Sequence, residues 1–467
     1  MGKYKTLAEN TLIFTICNFT SKLLVFFMLP FYTVALTTED FGVAELIMST
    51  SLLLIPILTL GVADGCMRFA IDSSYDRSEV FSIGFAIVSS GVFLVVCVLP
   101  FLVNLVNVDY LFFFFLFYVI QAYNLLFGFF CRGIDKVRIV GISGVASSFL
   151  AVLLNILFLF VFRWGLRGYM LSFIIAYFSS TNILFWGGRL YHYIRIHFDK
   201  KLAKEVLSYS LPLVPNSLSW WITDSANRYI IGAYCSIGDV GLYSASSRLP
   251  SIVNTFRSIF IQAWQLSTIT EYDKNDSNSF FSTIFRAYHF FIIVLVSCCI
   301  VFSKLLGSFL LSNDFFEAWI YTPFLFLSVL FGALVAFYSP TYLAQKKTGR
   351  LLVSTVLGAV IAVAGNFLLV PHIGVIGAAI MSAVSYIVVY LYLHFDSRKY
   401  LSYKTVYYRY YLSYVIVIIQ VVLVTFMNVT PTSLYSILCL VVILLLNMSD
   451  ILLYGNMFKV LLSKIRK

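Results

Sequence analysis

Apolar runs of about twenty residues recur from one end of this chain to the other, separated by short polar stretches. A helix of roughly 20 apolar residues is long enough to cross a bilayer core. The pattern therefore predicts fourteen helical spans, at 11–36, 42–65, 80–103, 109–130, 139–162, 168–188, 207–232, 240–265, 282–303, 318–340, 351–370, 375–393, 410–428 and 434–454. Of the 467 residues, 61% are hydrophobic and 11% charged, against roughly 25% charged in a soluble domain. The expected class is an all-α integral membrane protein with about 14 transmembrane helices. The first run follows MGKYKTLAEN and carries no small-residue cleavage site, so it is expected to stay as a span.

The net charge of +11 is a topology signal. Counting alternate loops, 25 of the 32 Lys and Arg fall on the side of the N-terminus, and three (Arg163, Arg167 and Lys304) fall on the other. That bias predicts both termini in the cytoplasm of a multi-pass protein of the bacterial inner membrane. Because the cations alternate with the spans, they give no nucleic-acid footprint. The eight cysteines are scattered without metal-type spacing. No phosphate loop, HExxH or nucleophile elbow occurs, and no loop is long enough to fold separately. Neither an enzyme nor a resident cofactor is expected.

Two pairs of motifs repeat along the chain. TTEDFGVAEL (37–46) is echoed by CSIGDVGLYS (235–244), aligning Asp40-Phe41-Gly42 with Asp239-Val240-Gly241. Lys136 precedes Asn155 by nineteen residues, as Lys347 precedes Asn366, and a G-x-x-G step follows each Asn: Gly165/Gly168 and Gly374/Gly377. The offsets, 199 and 211 residues, match six spans. An even number keeps both copies in one orientation, so the expectation is two parallel six-helix bundles, 1–200 and 201–396, plus a two-helix extension, 397–467. Parallel halves are a recurrent transporter design.

Ionisable residues inside spans mark candidate chemistry, because they are costly in lipid and face a bundle interior or a cavity. In LPLVPNSLSWWITDSANRYIIG, Trp220, Asp224, Asn227 and Arg228 share one helix face. Asp224 and Arg228, four apart, are placed to pair. Thr11, Thr15, Asn18 and Lys22 form a similar stripe on the first span, ahead of Pro30. Arg248 and Arg257 lie half a turn out of phase around Pro250, so one of the two is expected to line a cavity. The second span holds Glu45 near one end and Asp64 near the other, with Arg68 a turn later; Asp64 and Arg68 are expected to form an interfacial lock. The interior balance is cationic, suiting a phosphate that Arg can bind in a fork. A drug-cation exporter would be expected to carry the opposite sign. His289, inside a span near its cytoplasmic end, fits a packing role better than a proton relay.

The stretches SKLLVFFMLPFYTVALTTEDFGVAEL and LSYSLPLVPNSLSWWITDSANRYIIGAYCSIGDVGLYSASSRLP resemble the lipid-linked oligosaccharide flippases of the Wzx type. These belong to the multidrug/oligosaccharidyl-lipid/polysaccharide exporter superfamily. The resemblance implies alternating access that moves undecaprenyl-diphosphate-linked oligosaccharide between leaflets, coupled to H+ or Na+. It implies membrane lipid as surroundings, and a polysaccharide polymerase and chain-length regulator as partners. By their position in the spans, the residues expected to contact substrate are Lys22, Asn18, Arg228, Arg248, Arg257, Trp220 and Asn227. Coupling or gating falls to Asp224, Asp64, Arg68 and Glu45.

Two relatives of the same fold remain as alternatives, a multidrug/toxin extruder and a lipid II flippase. The first span has one Lys where lipid II flippases carry several arginines, which weighs against the latter. A membrane-embedded polymerase or glycosyltransferase would need a long outer loop or an acidic catalytic domain, and the chain has neither.

Overall fold

From the second predicted span onward, the described residues of every apolar run fall mainly on helix. The computed structural model describes residues 24, 26–195, 199–271, 277–344, 348–398, 407–426, 432–448 and 450, which hold no strand. Among the described residues, ten helices are long and apolar enough to cross a membrane. The runs at 207–232 and 240–265 are helical but too interrupted or polar to count among them, since they carry the candidate site residues.

By their internal contacts the described residues divide into two units. One comprises the chain up to Gly232 together with Ser236–Ser244; the other comprises Ala233–Cys235 and the chain from Ala245. The first holds α1 (Leu29–Ala35), α2 (Thr38–Leu58), α3 (Val62–Ile71), α4 (Arg77–Leu102), α5 (Val108–Gly133), α6 (Val137–Ile156), α7 (Gly165–Asn182), α8 (Lys200–Ser210) and α9 (Val214–Tyr234) up to Gly232. It also takes most of α10 (Ile237–Arg248). The second holds α11 (Ser251–Glu271), α12 (Ser277–Val301), α13 (Ser303–Leu310), α14 (Thr322–Ala344), α15 (Thr348–Ile373), α16 (Val375–Ser397), α17 (Tyr407–Phe426) and α18 (Thr432–Leu446).

Two of the interruptions in the predicted spans have a plain local cause. The second span ends as α2 at Leu58 and restarts as α3, because Leu60 and Gly61 adopt φ of 53° and 63°. Glycine tolerates that conformation; leucine is strained in it. The run at 240–265 is divided between α10 and α11 at Leu249–Pro250, where proline cannot supply the N–H of a continuing helix. Arg248 and Arg257 therefore sit on separate helices.

The internal repeat is visible in local chemistry. Thr37 Oγ1 accepts from Asp40 N at 3.1 Å, and Ser236 Oγ accepts from Asp239 N at 3.1 Å. The two aspartates thus occupy the same position in two capped helix starts. Asn155 and Asn366 are both fully buried, and each Nδ2 donates at 2.7 Å to the carbonyl four residues back. The glycines that follow, Gly165 and Gly374, have φ of 53° and 62°. A backbone that L side chains resist is therefore used at equivalent turns.

In the first unit the core gathers Tyr118, Phe81, Phe127 and Phe130 between α4 and α5. In the second, Phe260 stacks on Tyr288 with centroids 4.0 Å apart and Trp264 on Phe337 at 4.6 Å. Gln420 of α17 accepts from Ser297 Oγ of α12 at 2.8 Å and donates to the Ser436 carbonyl of α18 at 3.1 Å. A buried amide satisfied this way fixes the last two helices against the unit, since an unpaired one would be costly in an apolar interior.

Candidate functional site

Helix α9 carries its polar residues on two faces. Ser219, Thr223 and Asn227, spaced by four, are buried. The two hydroxyls donate to carbonyls of their own helix, at Pro215 and Ser219. Asn227 Nδ2 reaches the Tyr243 hydroxyl of α10 at 2.7 Å. Trp220 and Asp224 lie on the exposed face.

Three side chains of α9 dock it onto α2. Trp221 Nε1 donates to the Ser49 carbonyl at 2.9 Å. The Tyr229 and Thr50 hydroxyls lie 2.7 Å apart. Arg228 Nη2 stands 3.5 Å from Glu45 Oε2, with side chains 13% and 5% exposed. The Arg228 guanidinium also donates from Nε to Ser244 Oγ at 3.0 Å and from Nη1 to the Asp224 carbonyl at 3.3 Å. A guanidinium and a carboxylate are thus held side by side, largely removed from water, on helices of both repeats. In that setting their attraction is far stronger than at a surface, and so is the cost of removing one partner alone.

The structure joins sequence candidates assigned to different roles. Glu45, read as a gating residue, is the ion-pair partner of Arg228, read as a substrate contact. Asp224 contributes its backbone carbonyl to the same guanidinium. Asn18 and Lys22 lie outside the described residues.

The lock expected between Asp64 and Arg68 does not form: among the described residues no ion pair joins them. Arg68 is exposed and Asp64 half-buried on α3. Asp72, in the loop beyond, is held below the usual carboxylate range by hydrogen bonds from the Ser74 backbone and hydroxyl, with Arg68 adding a smaller attraction. Both residues lie on α3, so their four-residue spacing is kept and the side chains still do not meet.

In the second unit Arg248 and Arg257 are both half-buried. The Arg257 guanidinium lies against Gly332 of α14, where an added Cβ would sit 3.3 Å from Nη1. Two further ionic clusters lie among cations read only as topology markers. Asp450 is 1% exposed and pairs with both Arg286 and Arg409. Asp396 accepts from Arg350 at 3.1 Å and from Tyr342 at 2.9 Å, and Tyr338 and Arg398 flank His394 on its two ring nitrogens. The signal for the second cluster was the H-F-D triplet closing an apolar run. His289 is buried between Phe285 and Tyr410, and among the described residues neither ring nitrogen has a hydrogen-bond partner. That placement matches packing.

The family model described as "Polysaccharide biosynthesis protein" matches residues 7–265, more than half of the chain. The chain belongs to the polysaccharide biosynthesis protein family. No curated protein sequence matches it significantly. Among solved structures, it resembles the lipid II flippase MurJ in an inward closed conformation, with 15% identity over 96% of this chain and 100% of that one, at a TM-score of 0.71. A multidrug resistance MATE transporter in an inward-facing conformation matches with 14% identity over 83% of this chain and 95% of that one, at 0.64. A transporter of the same superfamily from Pyrococcus furiosus matches with 12% identity over 84% and 96%, at 0.54. At these identities the likeness establishes a shared fold. With ten helices long and apolar enough to cross a membrane among the described residues, this polysaccharide biosynthesis protein is a multi-pass membrane protein. The family model ends within α11, so the part matched includes Glu45, Arg228 and Ser244.

Proposed function

We propose that this protein flips undecaprenyl-diphosphate-linked oligosaccharide repeat units across the cytoplasmic membrane by alternating access, for O-antigen, capsule or exopolysaccharide biosynthesis. The observation that carries the reading is the Arg228–Glu45 pair within a polysaccharide-family membrane protein. A guanidinium presents a planar, permanently charged fork that matches the oxygens of a diphosphate. Held by Glu45 and Ser244, Arg228 is pre-oriented and shielded; when the diphosphate enters, its oxygens replace the Glu45 carboxylate. Trp220 and Asp224, exposed on the same helix, contact the sugar. Lys22 of the first span adds positive charge and Asn18 a neutral polar group.

A cation taken up by Glu45, H+ or Na+, cancels the charge that holds Arg228 and ties anion binding to an ion gradient. The glycan then passes to a polymerase and chain-length regulator. Complementation of a flippase-deletion strain tests the reading. Wild type is expected to restore surface polymer and Arg228→Ala, inserted at equal level, to leave the surface bare. Full polymer with Arg228→Ala contradicts it.

A further inference from the structure

At the end of the first unit that the cation count assigns to the outer side, two cavities of opposite character meet at one residue. The first, of about 490 Å³, is walled by aliphatic side chains of α2, α4 and α5, among them Leu54, Leu94 and Val98. Its lining includes two hydroxyl-bearing side chains, Thr50, already engaged by Tyr229, and Tyr110. The second, of about 390 Å³, is built from three turns that begin α2, α5 and α7. It holds Asp40, Asn107, Arg163, Trp164 and the Arg167–Asp109 ion pair at 2.6 Å. Tyr110 lines both. Each volume falls in the range of about 300–1,000 Å³ usual for ligand sites.

The polar pocket is a prepared surface. Trp164 is 48% exposed, yet its ring is fixed by stacking on Phe158 and Phe162 with centroids 5.0 and 5.1 Å away. Arg163 sits at φ 55°, a conformation a non-glycine residue avoids. Among the described residues neither the Arg163 guanidinium nor the Asp40 carboxylate has a hydrogen-bond or ion-pair partner. Asn107 turns its oxygen to the Asp109 N–H at 2.9 Å, which leaves its amide N–H groups for a ligand. A fixed aromatic face ringed by an amide, a carboxylate and a guanidinium is the chemistry that recognises sugar hydroxyls and an adjoining phosphate. The neighbouring cavity has the chemistry of a hydrocarbon chain, and its open wall on α4 presents half-exposed Leu94 and Val98.

We infer that these joined cavities form an exit site for the flipped lipid, with the saccharide against Trp164 and Arg163 and the prenyl chain between α2, α4 and α5. The inference rests on the proposed function and adds a second station to it, distinct from the Arg228–Glu45 pair. The site retains the product at the outer leaflet, where the enzyme that elongates the glycan collects it.

The test uses the full-length protein in nanodiscs and an N-acetylglucosamine diphosphate carrying a benzophenone-tagged farnesyl chain. Photolabelled peptides are mapped by mass spectrometry. Labelling is expected within residues 94–114 and is expected to fall by about tenfold in Trp164→Ala and in Val98→Trp, which fills the apolar cavity. Both side chains are about half exposed, so neither change threatens the fold. The inference is overturned if labelling of that segment is unchanged in both variants. It is equally overturned if a benzophenone-tagged phospholipid without sugar labels the segment as strongly, since the site would then be an ordinary lipid groove. If the complementation dependence on Arg228 holds while labelling is insensitive, the exit site alone falls. If the sugar probe labels nothing in the wild type and complementation also fails, the functional reading falls with it.

Discussion

Gly42 and Gly241 face each other backbone to backbone where α2 crosses α10. A Cβ added to Gly42 would strike the Ile237 carbonyl, and one added to Gly241 would strike the Thr38 carbonyl, each four residues before the opposite glycine. The contact is reciprocal, as expected when two copies of one motif meet. Gly42→Ala and Gly241→Ala are each expected to destabilise the protein by about 1–3 kcal/mol through overpacking, read as a lower Tm in detergent. Gly144→Ala, where nothing lies within 4 Å of the added carbon, is expected to leave the Tm in place.

Much of this was legible in the chain. The spans are continuous apolar runs, and the repeat carries its own markers: Thr37 and Ser236 with Asp40 and Asp239, Asn155 and Asn366 with their glycines. The contact between Gly42 and Gly241 was not legible, because close approach leaves no composition signal beyond glycine itself, and both read equally well as tight turns. The pairing of Arg228 was misdirected for a related reason. Asp224 lies one helical turn away in sequence, whereas Glu45 is brought in by the packing of α9 on α2, anchored by Trp221 and Tyr229. Helix periodicity reports faces within one element and is silent on which other element covers them. The Asp64–Arg68 lock was a spacing argument too: the two lie four apart on α3, and shared spacing alone does not make a pair.

Asp450 holds two arginines at once. Asp450→Asn leaves Arg286 and Arg409 without their shared carboxylate, and the expected cost is about 3–5 kcal/mol, seen as loss of folded protein in detergent by size-exclusion chromatography. Replacing all three, with Arg286→Met, Arg409→Met and Asp450→Leu, is expected to recover most of that loss, because no buried charge is then left unpaired.

Asn227 ties α9 to α10 through Tyr243, beside the Arg228–Ser244 bond. Asn227→Leu leaves the Tyr243 hydroxyl without the donor it faces and is expected to lower stability by about 1–3 kcal/mol. Adding Tyr243→Phe is expected to restore part of it, since both polar partners are then gone. A thermal-melt double-mutant cycle reads the coupling directly.

Glu45→Gln mimics the carboxylate with its charge cancelled. If cation uptake by Glu45 releases Arg228, transport by this variant is expected to lose its dependence on an imposed proton or sodium gradient while still binding the lipid-linked saccharide. Gradient dependence equal to wild type would remove Glu45 from the coupling step.

The most direct measurement is flipping in proteoliposomes of a fluorescent prenyl-diphosphate-linked saccharide, with a membrane-impermeant quencher reporting the outer leaflet. Wild type is expected to move the probe. Arg228→Ala, reconstituted at equal density, is expected to reduce the rate by about a hundredfold, in line with about 3 kcal/mol lost when a charge-assisted phosphate contact is removed, and Arg228→Lys to recover a small part. Movement of the probe by Arg228→Ala at the wild-type rate would contradict the account.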